Sequence, residues 1–131
     1  MTAFETEFFQ PLKFAPEQLS RYLGSAERDL DISANTDIPE VRFKFAYEAL
    51  IKLGIYIIAK QDYKVRSRSG HHIKIIEKLS DLISEQDVAI IGNKMRQERN
   101  LDLYDGGAVI TDTDSRQYLG FIKELFEKYG V

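Results

Sequence analysis

The segment "TDIPEVRFKFAYEALIKLGIYIIAK", residues 36–60, constrains the fold more than any other. It opens with Asp37 and Glu40 at capping-box spacing and has Pro39 in what becomes a first helical turn. After Ala49 it is apolar on nearly every side, the pattern of a helix surrounded by other helices. A run such as "ALIKLGIYIIA" is too short for a bilayer, which needs roughly 20 apolar residues, so a buried helix is expected and no membrane span. Gly54 interrupts the run, and a glycine there is tolerable where a second helix packs closely.

The rest of the chain supplies partners for this helix. "APEQLSRYLGSAERDLDISA" begins at Pro16 and keeps Leu19, Tyr22, Leu23, Ala26 and Leu30 near one face. "HHIKIIEKLSDLI" places His72, Ile75, Ile76, Leu79, Leu82 and Ile83 on one stripe. Ser84 or Glu85 restarts a helix, "EQDVAIIGNKMRQERNLDLY", closed by Asp105-Gly106-Gly107. "SRQYLGFIKELFEKYG" follows, with Asp112 or Thr113 as its N-cap, and ends at Gly130. No segment alternates long enough to demand a sheet, although "GAVIT" is short enough to be briefly extended. The expectation is an all-α, up-and-down bundle of about five helices, one domain over residues 1–131. Residues 1–14 are expected to be a loose N-terminal extension or an extra turn.

Composition narrows the function classes. Without cysteine there are no disulfides and no thiolate zinc sites, which fits a cytoplasmic protein. "MTAFETEFFQ" lacks the basic start of a secretory signal. A net charge of −3 argues against broad attraction to nucleic acid. The charge is unevenly spread, however. Between Lys60 and Lys78 six cations face two acids, and "KVRSRSGHH" at the centre of this stretch, with Arg66 and Arg68, is suited either to phosphates or simply to solvent. No phosphate-loop, dinucleotide-binding or zinc-protease motif occurs, "DTDS" is not a calcium loop, and no metal or cofactor is expected.

The remaining candidate is "RQERNLDLYDGG", residues 96–107. At about 100° per residue Val88, Ile91 and Met95 form a buried stripe, while Arg96, Asn100 and Tyr104 share another edge. Arg99 lies between that edge and the core, and Ala89 and Gly92 continue the edge as small residues open to a ligand or another backbone. Guanidinium forks match phosphate oxygens, an amide can position a ribose hydroxyl, and a tyrosine can stack on a base. In the plainer reading the arginines pair with acids such as Glu98 or Asp102, and Asn100 and Tyr104 close the helix. His72, on an apolar stripe, reads as a packed residue. His71 points elsewhere, beside the basic loop, and is the functional candidate of the two.

Five helices, "GHH" opening the third (Gly70, His71, His72) and "RN" followed by an aromatic in the fourth (Arg99, Asn100, Tyr104) resemble HEPN domains, the higher eukaryotes and prokaryotes nucleotide-binding family. The likeness covers roughly residues 16–130. It implies a homodimer in which two copies of an R-N-x-x-x-H motif meet. Many such domains are metal-independent ribonucleases of toxin–antitoxin or phage-defence systems, and others are non-catalytic partners of a nucleotidyltransferase. Carried over, Arg99 takes the place of the motif arginine and Asn100 that of the residue after it. Tyr104 stands where the family has histidine. A tyrosine near pKa 10 is a poor general base at pH 7, so the resemblance implies a face that binds RNA or a nucleotide better than it cuts. Arg99 and Tyr104 are its catalytic candidates. Arg96, Asn100, His71, Arg66 and Arg68 are its binding candidates. A metal-independent ribonuclease using Tyr104 or His71, and a purely structural partner protein, are the alternatives.

Overall fold

The computed structural model describes residues 3–104 and 110–130, with side chains described as far as residue 101 in the first of these segments. The chain runs β1 (Phe9–Pro11), α1 (Pro16–Ala34), α2 (Pro39–Lys60), β2 (Tyr63–Val65), α3 (His71–Ile83), α4 (Gln86–Tyr104) and α5 (Asp112–Tyr129). It is an all-α bundle of five helices with one small two-stranded sheet. Helix α2, 22 residues long, touches all four other helices. Ala46, Tyr47, Ala49, Leu50, Leu53 and Ile58 are fully buried along it, which is why its sequence is apolar on nearly every side.

Two glycines set the spacing around α3. A Cβ on Gly54 would fall 2.6 Å from Ile75 Cγ2, and one on Gly92 would fall 2.7 Å from Ile76 Cγ2. Helices α2 and α4 therefore approach α3 closely from two sides. Gly54 does what its sequence context suggested. Gly92 takes one of the two roles its sequence suggested: it lets another helix come close and opens no ligand edge, because the volume a side chain would occupy is filled by Ile76 and Leu50.

The N-terminal segment packs as the extra turn expected, closed by Phe9 N donating to the Glu5 carbonyl at 2.9 Å, but it continues into an unexpected strand, where Phe9–Pro11 pairs antiparallel with Tyr63–Val65. Flanking bonds from Leu12 N to the Asp62 carbonyl (2.9 Å) and from Arg66 N to the Phe8 carbonyl (2.7 Å) lengthen the pairing. Phe9 has no exposed surface, and Phe4 stacks on Tyr63 with 3.9 Å between ring centroids. A three-residue strand carries no alternating pattern, and its partner lies more than fifty positions away, so local sequence cannot announce it.

The caps of α2 and α5 lie one residue from the expected positions. Ile38, not Asp37, is the N-cap of α2, and the Thr36 hydroxyl accepts from its N–H at 3.2 Å. Helix α5 starts at Asp112 with Thr111 as N-cap, its hydroxyl accepting from Asp114 N at 3.0 Å. The expected "DGG" closure of α4 and most of "GAVIT" lie outside the described residues. Arg42 ties the far end of the bundle together. Only 2% exposed, its guanidinium donates to Asp112 (2.7 Å), Ser115 Oγ (2.9 Å) and the Thr36 carbonyl (2.8 Å). No described helix is long and apolar enough to cross a membrane.

Candidate anion-binding cleft

The "SRSGHH" stretch and the C-terminal half of α4, about 30 residues apart in sequence, meet across one cleft of about 540 Å³. One wall is the loop from Ser67 to Gly70 with the first turn of α3. The other is Arg96, Arg99 and Asn100. Gly70 makes the turn, holding φ at +81°, a left-handed conformation that glycine adopts without the penalty a Cβ brings. It is also the N-cap of α3, with no side-chain cap. The amides of His72 and Ile73, in the uncapped first turn beside the cleft, therefore have no intrahelical partners. They add the positive end of a 13-residue helix dipole to the arginines.

The two histidines differ in kind. The Arg68 carbonyl lies 2.7 Å from His71 Nδ1. A carbonyl only accepts, so Nδ1 carries a proton and, in the neutral ring, the Nε2 lone pair remains available in the cleft. His72 Nδ1 lies 2.9 Å from the Tyr47 hydroxyl. Burial pushes the Tyr47 phenol up to about 12, so it keeps its proton. Burial likewise brings His72 down to about 4, with His71, Arg99 and Arg96 adding repulsion. A phenol is the better donor and a neutral imidazole nitrogen the better acceptor, so Tyr47 donates and the His72 proton sits on Nε2. His72 is thus a neutral spacer that supports the cleft wall.

A pH dependence follows from this. The His72 pKa lies below its unfolded value of about 6.5, so the unfolded chain binds the extra proton more readily. The associated stability is complete above pH 6.5 and is lost as the pH falls through 4. His72→Asn, which keeps a polar atom near the Nδ1 position, is expected to flatten the decline in melting temperature between pH 6.5 and 4. An unchanged profile in that variant would show that other groups govern it.

The arginines of α4 form no salt bridge among the described residues. Arg99 sits with its Cζ 5.7 Å over the Tyr47 ring, and Arg96 Nε is buried without a hydrogen-bond partner among the described residues. Glu98, one acid suggested as their partner, instead accepts from the Tyr118 hydroxyl at 2.9 Å. The side chain of Asp102, the other, lies outside the described residues.

Of the sequence candidates, Arg68, His71, Arg96, Arg99 and Asn100 line the cleft together. Arg66 does not line it: its Nε donates to the Thr6 carbonyl at 3.0 Å, because the β1–β2 pairing carries it toward the N-terminal segment. Arg68 is shared, donating to the Glu7 carbonyl at 3.2 Å and pairing with the Glu7 carboxylate at 3.3 Å. Tyr104 ends α4, and its side chain lies outside the described residues. Sequence reading missed Tyr47, the floor beneath Arg99 and the partner of His72. It sits within an apolar helix face, and nothing local distinguishes it from a core aromatic.

Much of the basic stretch is already compensated. Lys78, almost fully buried, donates to the Ala3 carbonyl and pairs with Glu5 at 3.4 Å, and Lys74 pairs with Glu5 at 3.7 Å. Arg96 and Arg99 on the α4 wall, by contrast, have no salt-bridge partner among the described residues. Among the described residues no cluster of His, Asp and Glu could hold a metal ion.

Comparison with protein-family models, with curated proteins and with solved structures gives no match.

Proposed function

We propose that this chain is a HEPN-like module that binds a phosphate of RNA or of a nucleotide in the cleft between α3 and α4. The convergence of Arg96, Arg99 and Asn100 with the uncapped start of α3 carries this reading. Two guanidinium groups without salt-bridge partners among the described residues, beside orphan amides, are donors only, and donors only suit an anion. Asn100 adds the one side chain of the set that both donates and accepts, as a ribose hydroxyl requires. The module works as a homodimer with the C-terminal half of α4 near the two-fold axis. Ile90 (67% exposed) and Leu101 (46%) lie eleven residues apart on nearly the same side of α4, with the exposed Lys94 and Gln97 between them, and self-association would cover these two apolar side chains.

One observation favours a second reading, cleavage without metal. His71 presents its Nε2 lone pair in the cleft, where it can take the proton of a ribose 2′-hydroxyl. The 2′-oxygen then attacks phosphorus, giving a 2′,3′-cyclic phosphate, and the freed 5′-oxygen takes a proton from solvent. In either case the chain belongs to a toxin–antitoxin, phage-defence or nucleotidyltransferase-associated system.

One set of measurements separates these readings. The binding module is expected to hold single-stranded RNA with an affinity that falls linearly on a log–log plot against salt, and to sediment as a dimer. RNA degradation in EDTA that His71→Asn abolishes would establish the nuclease reading. A salt-independent affinity, or none, would overturn both.

A further inference from the structure

A second cavity, of about 340 Å³, opens beside the cleft, and Ser67 and His71 belong to the walls of both. Its sides come from three elements: Phe14 and Tyr22 around the start of α1, Ile55 on α2, and Tyr63 and Val65 on β2. The aromatic members are held in place by neighbouring rings. Phe14 and Tyr22 lie 5.3 Å apart, and Phe4 stacks against Tyr63. At one end the walls become polar. Lys52 Nζ donates to Ser25 Oγ at 2.9 Å and pairs with the buried Asp29 carboxylate at 2.8 Å. Two of the three ammonium protons are engaged there, and the third has no partner among the described residues.

An aliphatic ligand would leave that donor unused, and a wholly polar one would waste the aromatic walls. A flat heteroaromatic ring carrying an oxygen acceptor satisfies both. We infer that this cavity is the base subsite of the nucleotide whose phosphate the arginine cleft holds, and that Lys52 donates to a keto oxygen of guanine or uracil. The inference rests on the anion reading of that cleft and supplies what the cleft lacks, a surface on which a base can stack. His71 and Ser67 stand at the junction, where the ribose passes from one cavity to the other. Asp29 fixes the ammonium in place, so the donor is preorganised rather than recruited.

Calorimetric titration of the full chain at low salt tests this, with GMP, UMP, AMP and ribose 5-phosphate as probes. GMP and UMP are expected to bind about tenfold or more tighter than ribose 5-phosphate, the scale of one stacked base, and tighter than AMP. Ile55→Trp, which fills the cavity from its half-buried α2 wall, is expected to bring GMP down to the affinity of ribose 5-phosphate while leaving the latter unchanged. The wild-type comparison stands even if that variant fails to fold. If ribose 5-phosphate binds and GMP binds no tighter than it or than AMP, the base subsite is overturned and the anion cleft survives. If neither ribose 5-phosphate nor GMP binds, both fall.

Discussion

Replacing Arg96 and Arg99 together by alanine is expected to lower affinity for single-stranded RNA by about 100- to 1,000-fold. A hydrogen bond to a charged partner contributes roughly 1.5–3 kcal/mol, and two guanidinium groups in one cleft act on the same phosphate, so their losses add incompletely. The salt slope is expected to fall as well, by about 0.7 per arginine for a single strand. The fold should survive, because both side chains are only half-buried and their loss removes little more than the stacking of Arg99 on Tyr47, about 0.5–1 kcal/mol. Arg99→Lys is expected to recover only part of the affinity, since a point charge does not reproduce a planar fork. Arg116→Ala is the control. That arginine is exposed on α5, is engaged with Asp112 at 2.7 Å and does not line the cleft. If the double variant keeps its affinity, or if Arg116→Ala loses as much, the cleft is not where RNA binds.

Phe9→Ala is expected to destabilise the chain by about 3–5 kcal/mol, the usual cost of removing a fully buried aromatic ring. At roughly 4 °C per kcal/mol for a chain of this size, the melting temperature should fall by about 10–20 °C. The ring lies edge-on to Phe4 at 5.4 Å and under the Lys78 ammonium at 5.5 Å, so its loss also weakens the seating of both. The effect should reach the cleft. The segment from Ala3 to Pro11 supplies the carbonyls and carboxylates that hold Arg66, Arg68, Lys74 and Lys78. Peeling it away releases positive charge beside the phosphate site, so nonspecific RNA binding should rise as stability falls. A melting temperature lowered by less than about 3 °C would mean that β1 is not part of the core.

Helix positions were largely legible in the sequence because periodicity is a local property. The stripe of Ile75, Ile76 and Leu79 in α3 and the all-round apolarity of α2 can each be read from adjacent residues. The same reasoning placed Gly54 at a helix contact and left Gly92 open to either a ligand or another backbone. Both are small residues in helices, and only the partner on the other side separates a close-packed glycine from an open one. The basic stretch was misjudged in part for a similar reason. Its charges are visible in the sequence, but the acids that compensate them are on the N-terminal segment, more than sixty positions away.

The site divides along the same line. Sequence by itself determined the five-helix order, the glycine that opens α3, and the chemistry available in Arg96, Arg99, Asn100 and His71. Tertiary structure alone decided that these residues share one cleft, that Tyr47 supports Arg99 and donates to His72, that burial keeps His72 neutral, and that Arg66 faces away. It also decided that a second cavity adjoins the first. Residue type and helical phase fix what a side chain can do and which way it leaves its own helix. Which other helix it meets depends on packing of α3 against α2 and α4, and that contact is set by residues distant in the chain.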